Sequence, residues 1–272
     1  MAMALILSNI EKVKSMTTFD ENGKAVKYKH FDILSWHQCP KHGIQPATYG
    51  EVFGEIRDEW NFPYRCMECA KQEAIDNAVA EASVPLRYLN KTLESYERDT
   101  NERKKVFAAV KEYVETMEDS LSNGRCLIMV GGVGTGKTHL ACGLVREVVS
   151  SGRTAKFTTV QKLIREVRAS WGTKTEQAVI DEFAKLDLLV IDEVGVQAGS
   201  ENERNILFDI VNSRYEDMRS TVIITNCDID GIKAYLGERV VDRLRENGGR
   251  LVQFTERAIE ANREQRNANR RA

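Results

Sequence analysis

Eight consecutive residues constrain this chain more than any others: Gly131-Gly132-Val133-Gly134-Thr135-Gly136-Lys137-Thr138, set directly after the apolar run 126–130. They satisfy G-x-x-x-x-G-K-S/T at every fixed position. Glycines there let the backbone wrap so that its N–H groups point at a phosphate, while the lysine brings a point charge to the β- and γ-phosphates. The Thr138 hydroxyl is placed to ligate Mg²⁺, and the helix expected over 137–150 turns its positive end towards the anion. A strand before and a helix after distinguish this loop from a chance glycine-rich turn. The chain is thereby committed to a nucleotide-binding α/β core.

The remainder of that core follows from periodicity. Short apolar runs at 126–130, 155–158, 188–191, 222–225 and 251–254 read as strands. Helical patterns at 101–122, 137–150, 160–171, 175–185, 203–217 and 238–246 lie before and between them. Strand–helix alternation with continuously apolar strands argues for a parallel sheet covered on both faces. The run Leu188-Leu189-Val190-Ile191-Asp192-Glu193 puts Asp192 at a strand's carboxyl end, where it can reach the Mg²⁺, and Glu193 beside it as a general base for water. The strand 155–158 is expected to insert between the two motif-bearing strands, the mark of additional-strand ATPases. Asn226, after Thr225, would sense the γ-phosphate or hold the water; a plain strand-end cap is the alternative. Arg239 and Arg243 stand four apart, hence on one helical face. Arg243 is the favoured donor of positive charge to a neighbouring subunit's nucleotide, against a bland salt-bridged surface helix.

In front of this core lies a different chemistry. Cys39-Pro40-Lys41-His42 and Cys66-Met67-Glu68-Cys69 are two ligand pairs, each with two residues between its members. Such pairs form knuckles that present Cys39, His42, Cys66 and Cys69 to one tetrahedral Zn²⁺, with no position left open for catalysis. A reducible disulfide is the competing reading, disfavoured in a reducing compartment. Residues 1–65 are too few to bury a large core, and a metal is the usual remedy. Cys126, Cys142 and Cys227 read as small core hydrophobes. A helix begins near Cys69 and stops at Pro85, which dictates three parts: a zinc-stabilised α+β module with connecting helix (1–82), the ATPase core (83–255) and a basic tail (256–272).

With 39 Lys+Arg against 41 Asp+Glu the formal charge is −2, so any nucleic-acid contact must come from local patches. Lys162, Arg165, Arg168, Trp171 and Lys174 form such a patch, with Arg165, Arg168 and Trp171 at helical spacing for phosphate contact plus base stacking on single-stranded DNA. The same pattern fits a solvated helix with Trp171 tucked into the core. The tail from Arg257 carries five arginines against two glutamates. Apolar runs such as 3–7 and 188–191 are far below the ~20 residues that span a bilayer, and no basic segment precedes a short apolar stretch. A cytoplasmic protein with no membrane partner is expected.

Taken together, these residues resemble the DnaC/IstB group of AAA+ ATPases, and within it the DnaC-type replicative helicase loaders, over about residues 83–255. The resemblance is carried by GGVGTGKTHLA at 131–141, LDLLVIDEVGVQ at 186–197, TN at 225–226 and LGERVVDRL at 236–244. It implies an AAA+ fold with a five-stranded parallel sheet, binding of ATP/ADP with Mg²⁺, and slow hydrolysis stimulated by self-oligomerisation or single-stranded DNA. It further implies the roles given above for Lys137, Thr138, Asp192, Glu193, Asn226 and Arg243, and a hexameric replicative DNA helicase as partner. Tyr96 would lie near the adenine or serve packing. Two departures stand out. The zinc module replaces the small helical segment usual in such loaders, and the family's late arginine has no clean match, Arg257 and Arg263 being the candidates. An IstB-like transposition helper is the runner-up. A small-molecule kinase is disfavoured by the extra strand, the arginine segment and the lack of an obvious lid.

Overall fold

The computed structural model describes residues 17–19, 25–28, 30–53, 56–60, 67–169, 174–196 and 199–255, with side-chain detail at 39–43 and from 68 onward. The chain divides into two compact units, Met1–Ala74 and Ile75–Ala272.

In the first unit the alternating stretches of the sequence are antiparallel strands. β1 (Thr17–Phe19) pairs with β2 (Ala25–Tyr28), and β3 (His30–Cys39), β4 (Gly43–Phe53) and β5 (Ile56–Trp60) form a three-stranded sheet with β4 central. Pro46 is tolerated because β5 pairs only with Tyr49–Phe53, which leaves the start of β4 bonded on one side. Residues 40–42 make the tight turn between β3 and β4, and Gly43 leaves it at φ 72°. Helix α1 (Met67–Glu81) follows and runs across the division between the units.

The second unit contains α2 (Asn101–Glu115), α3 (Met117–Ser122), β6 (Leu127–Gly131), α4 (Lys137–Ser150), β7 (Ala155–Thr159), α5 (Val160–Ala169), α6 (Glu176–Ala184), β8 (Leu188–Asp192), α7 (Glu201–Glu216), β9 (Ser220–Thr225), α8 (Ile229–Leu236), α9 (Glu238–Arg245) and β10 (Arg250–Phe254). Strands β6 to β10 form one parallel sheet in the order β10-β6-β9-β8-β7, the AAA+ arrangement. Alternate residues of the apolar strands serve opposite cores. Leu127 and Met129 join Leu140, Leu144 and Val148 of α4 on one face. Ile128 and Val130 join Leu163, Ile180, Ile206 and Val241 on the other. Burial on both faces is why these strands are continuously apolar.

One expectation is corrected here. The strand from Ala155 does not lie between the two motif-bearing strands; β7 is the sheet edge beyond β8, and β9 is the one inserted between β6 and β8. The chemistry agrees. β9 is buried along its whole length, whereas Lys156 of β7 reaches an ion pair with Glu166 (2.7 Å) that an edge permits. Two helices also differ from the pattern. The segment 101–122 breaks at Thr116, which leaves helical geometry (φ −106°, ψ 28°) while its Oγ1 donates to the Glu112 carbonyl at 2.9 Å. Helix α8 has no forecast counterpart: it is only eight residues long, capped by Asp228, whose carboxylate accepts from the Gly231 N–H at 2.8 Å.

Arg214 is fully buried, and among the described residues it has no carboxylate partner. Its guanidinium donates to the carbonyls of Phe183 (2.7 Å), Leu186 (2.8 Å) and Ser220 and to Thr221 Oγ1 (3.0 Å), tying the end of α6 to the start of β9. Burial pulls its pKa down to about 10. Among the described residues no helix is long and apolar enough to cross a membrane.

Candidate nucleotide site and metal centre

The loop 132–136 joins β6 to α4. Two glycines in and beside it are dictated by close approach. A Cβ on Gly131 (φ 151°) would fall 2.2 Å from the Phe254 carbonyl oxygen, and one on Gly136 (φ 95°) 2.7 Å from Tyr96 Cε2. Neither backbone geometry suits another residue. Lys137, at the start of α4, is buried, and its Nζ donates to the carbonyls of Gly131 (2.6 Å) and Gly132 (2.7 Å) and to Asn226 Oδ1 (3.0 Å). Burial lowers its pKa, opposed by the Asp192 charge.

Asp192 ends β8. Its Oδ2 accepts from Thr138 Oγ1 (3.0 Å) and its Oδ1 from the Glu193 N–H (2.7 Å). Burial raises its pKa, although both hydrogen bonds and Lys137 oppose the rise. Glu193 adopts φ 62°, a left-handed conformation rare outside glycine, which turns its exposed carboxylate into the cleft. The following turn is clamped to β9, since the Val194 N–H donates to the Ile224 carbonyl (3.1 Å) and Thr225 Oγ1 donates to the Val194 carbonyl (2.7 Å).

Lys137, Thr138, Asp192, Glu193 and Asn226, expected from separate motifs, therefore line one cleft of about 660 Å³ together with Val133, Gly134, Thr135 and Gly136. Thr138 and Asp192 are the residues that would hold Mg²⁺, and a hydroxyl beside a carboxylate is an oxygen donor set suited to that ion. Across the cleft stand Arg87, Tyr88, Lys91 and Arg103. No motif marks these basic residues: Arg87 and Lys91 stand between Pro85 and α2, and Arg103 in the first turn of α2. Tyr96 has the packing role, one of its two expectations. It lines the cleft, yet it is buried, stacked on Phe107 (centroids 6.5 Å apart, 8° between planes) and edge-on to His139 (5.6 Å), propping the loop at Gly136.

Other candidates lie elsewhere. Arg243 does not line this cleft; its Cζ sits 5.0 Å from the Tyr215 ring centroid. Lys162, Arg165 and Arg168 lie on α5, Lys174 pairs with Glu182, and Trp171 falls outside the described residues. Arg165 and Arg168 do face a second cleft of about 470 Å³ that shares Glu193 as a wall, and there Arg168 pairs with Glu203 at 3.0 Å. Arg257, Arg263 and the rest of the tail also lie outside the described residues.

In the first unit Cys39, His42 and Cys69 converge. The Sγ atoms of Cys39 and Cys69 are 3.7 Å apart, and His42 Nδ1 lies 3.6 Å from the first and 3.4 Å from the second. Tetrahedral zinc, with Zn–S near 2.3 Å and Zn–N near 2.0–2.1 Å, calls for ligand separations of about 3.8 Å and about 3.6 Å. The three donors fit. Cys66, the fourth expected ligand, lies outside the described residues. The N–H of Lys41, foremost among several hydrogen bonds, brings the Cys39 thiol down to about 6, whereas burial pushes the Cys142 thiol up to about 12 and the Cys126 thiol upward. Cys142 and Cys126 behave as core residues, as expected.

The sheet order and this cleft define an AAA+ ATP-binding protein. The sequence description of the IstB-like ATP binding protein family matches residues 73–246, and the chain belongs to that family. It is 34% identical over 161 residues to a protein named replicative helicase loader DnaC from Buchnera aphidicola subsp. Baizongia pistaciae, covering 58% of this chain and 64% of the relative, so less than two-thirds of that relative is spanned. The DnaC loader of Escherichia coli K12 is 32% identical over 168 residues, 61% of this chain and 67% of its own. Among solved structures, a crystal structure of the DnaC helicase loader superposes with a TM-score of 0.57 at 23% identity, covering 62% of this chain and 99% of that one.

Proposed function

We propose that this protein is a Mg²⁺-dependent ATPase that delivers a hexameric replicative helicase onto single-stranded DNA, ATP holding the assembly and hydrolysis releasing it. The observation that carries the reading is the junction at Asp192. One carboxylate gathers the Thr138 hydroxyl and the Glu193 backbone, while Asn226 meets Lys137, in a family whose relatives named above are helicase loaders. In that site Lys137 neutralises phosphate charge and Glu193 takes the proton of the attacking water, which Asn226 helps to place. When bound, Mg²⁺ offsets the charge on the β- and γ-phosphate oxygens. Arg243, which stands away from its own chain's cleft, supplies charge to a neighbour's site, so the working form is a self-oligomer. Arg165 and Arg168 contact the DNA backbone. We place the protein in the cytoplasm and read residues 1–82 as a module closed by Zn²⁺ on Cys39, His42, Cys66 and Cys69, 83–255 as the ATPase core and 256–272 as a basic tail.

The family description favours one second reading, an IstB-like helper that prepares target DNA for a transposase. Affinity capture with tagged protein and ATP, against Lys137→Ala, separates them. Recovery of the replicative helicase supports the loader; recovery of a transposase without helicase replaces it; recovery of neither removes both.

A further inference from the structure

Helix α9 borders an open depression of about 700 Å³ formed by Tyr215, Glu238, Arg239, Asp242, Arg243 and Glu246. Two arginines stand there one turn apart, and their surroundings differ. Arg239 is exposed. Arg243 is half-buried, with its guanidinium on the face of the Tyr215 ring. That ring, on the last turn of α7, is itself held, because its hydroxyl donates to Glu246 at the end of α9. The three side chains thus form a clasp across two helices. A free arginine spreads over many rotamers, whereas stacking on a fixed ring restricts the plane of its guanidinium fork and leaves its N–H donors facing outward.

We propose that Tyr215 is a positioning residue for Arg243, presenting its guanidinium in the orientation needed at the nucleotide of a neighbouring subunit. This rests on the trans-acting reading of Arg243. The clasp also explains why one arginine of the pair is suited to the task and the other is not.

The test uses the full chain. Tyr215→Leu removes the ring, and Tyr215→Phe keeps the ring but releases Glu246. Tyr215→Leu is expected to lower ATPase kcat about three- to tenfold, the range a cation–π contact supports, with KM for ATP changed less than about twofold. Tyr215→Phe retains most of the activity. The Arg243 Nε–H resonance, shifted by the ring current in wild type and in Tyr215→Phe, moves in Tyr215→Leu. Mixing Tyr215→Leu with Glu193→Gln, whose own site is dead but whose Arg243 is correctly held, restores turnover above the sum of the two alone. Tyr215→Met, closer in volume, replaces the leucine variant if that one melts early.

Normal kcat in Tyr215→Leu alongside a loss in Arg243→Ala overturns the positioning role alone. A loss that the Glu193→Gln partner does not restore also overturns it, since the defect would then lie in the variant's own cleft. Normal turnover in Arg243→Ala overturns the trans-acting reading beneath it.

Discussion

Lys137 is tied to two backbone carbonyls and to Asn226, so its charge is already aimed into the loop. Lys137→Ala removes that charge and is expected to abolish nucleotide binding in equilibrium dialysis. Glu193→Gln keeps the backbone donor to Asp192, because that bond comes from the main chain. It is expected to bind ATP normally while turnover falls about 10²–10⁴-fold, the contribution of a positioned base. A normal rate would remove Glu193 from that role. Asp192 adds a pH dependence whose sign is fixed by burial. Its folded pKa is raised, so the folded state binds this proton more tightly than the unfolded chain does. Its contribution to the stability of the nucleotide-free protein therefore grows as pH falls through the folded pKa. Mg²⁺ needs the carboxylate ionised. Mg²⁺-dependent nucleotide affinity should begin to decline, on acidification, above the ordinary carboxylate range near ~3.9, and Mg²⁺-free binding should lack that step.

Elements show what the chain discloses of itself and what it withholds. The loop 131–138 and the run 188–193 were legible because phosphate binding and metal holding are local demands written in consecutive residues. Strand order was not, since it depends on which strand is enclosed by two others. Even so, Lys156 in β7 and the unbroken Val222-Ile223-Ile224 of β9 record the difference between an edge and a centre. Arg87, Lys91 and Arg103 escaped because no spacing rule joins residues that meet only across a folded cleft. The same contrast applies to the Cys/His cluster, where two short pairs pointed to three donors that converge although they arise from the end of β3, the β3–β4 turn and α1. Chelation is expected to release about one Zn²⁺ per chain, set by one four-ligand site, and to lower the melting temperature of the first unit. Nucleotide affinity should change little, because the residues 131–138, 192–193 and 226 all belong to the second unit. Zinc release measured with a colorimetric chelator, alongside ATP-analogue titration, checks both halves.

At the scale of the whole molecule, one chain assembles the loop, Thr138, Asp192, Glu193 and Asn226 around a cleft, yet leaves Arg243 outside it, against the Tyr215 ring. A site complete within one chain would turn over at a rate per subunit independent of concentration. A site completed by a neighbour would not. An arginine delivered in trans is worth about 10³–10⁵ in rate where it acts fully. ATPase activity per subunit should therefore rise with protein concentration over the range where sedimentation detects self-association, and Arg243→Ala should flatten the rise while leaving ATP binding intact. Single-stranded DNA offers an independent handle. The second cleft places Arg165 and Arg168 beside Glu193, with Arg168 held by Glu203. A DNA phosphate that competes for Arg168 would loosen that ion pair in the cleft that Glu193 lines. Replacing Arg165 and Arg168 by alanine should weaken DNA binding and reduce the salt slope of log K by about 0.7–1.4, as expected for one or two lost phosphate contacts on a single strand. An unchanged salt slope would remove this cleft from the DNA path and leave the basic tail to account for any binding.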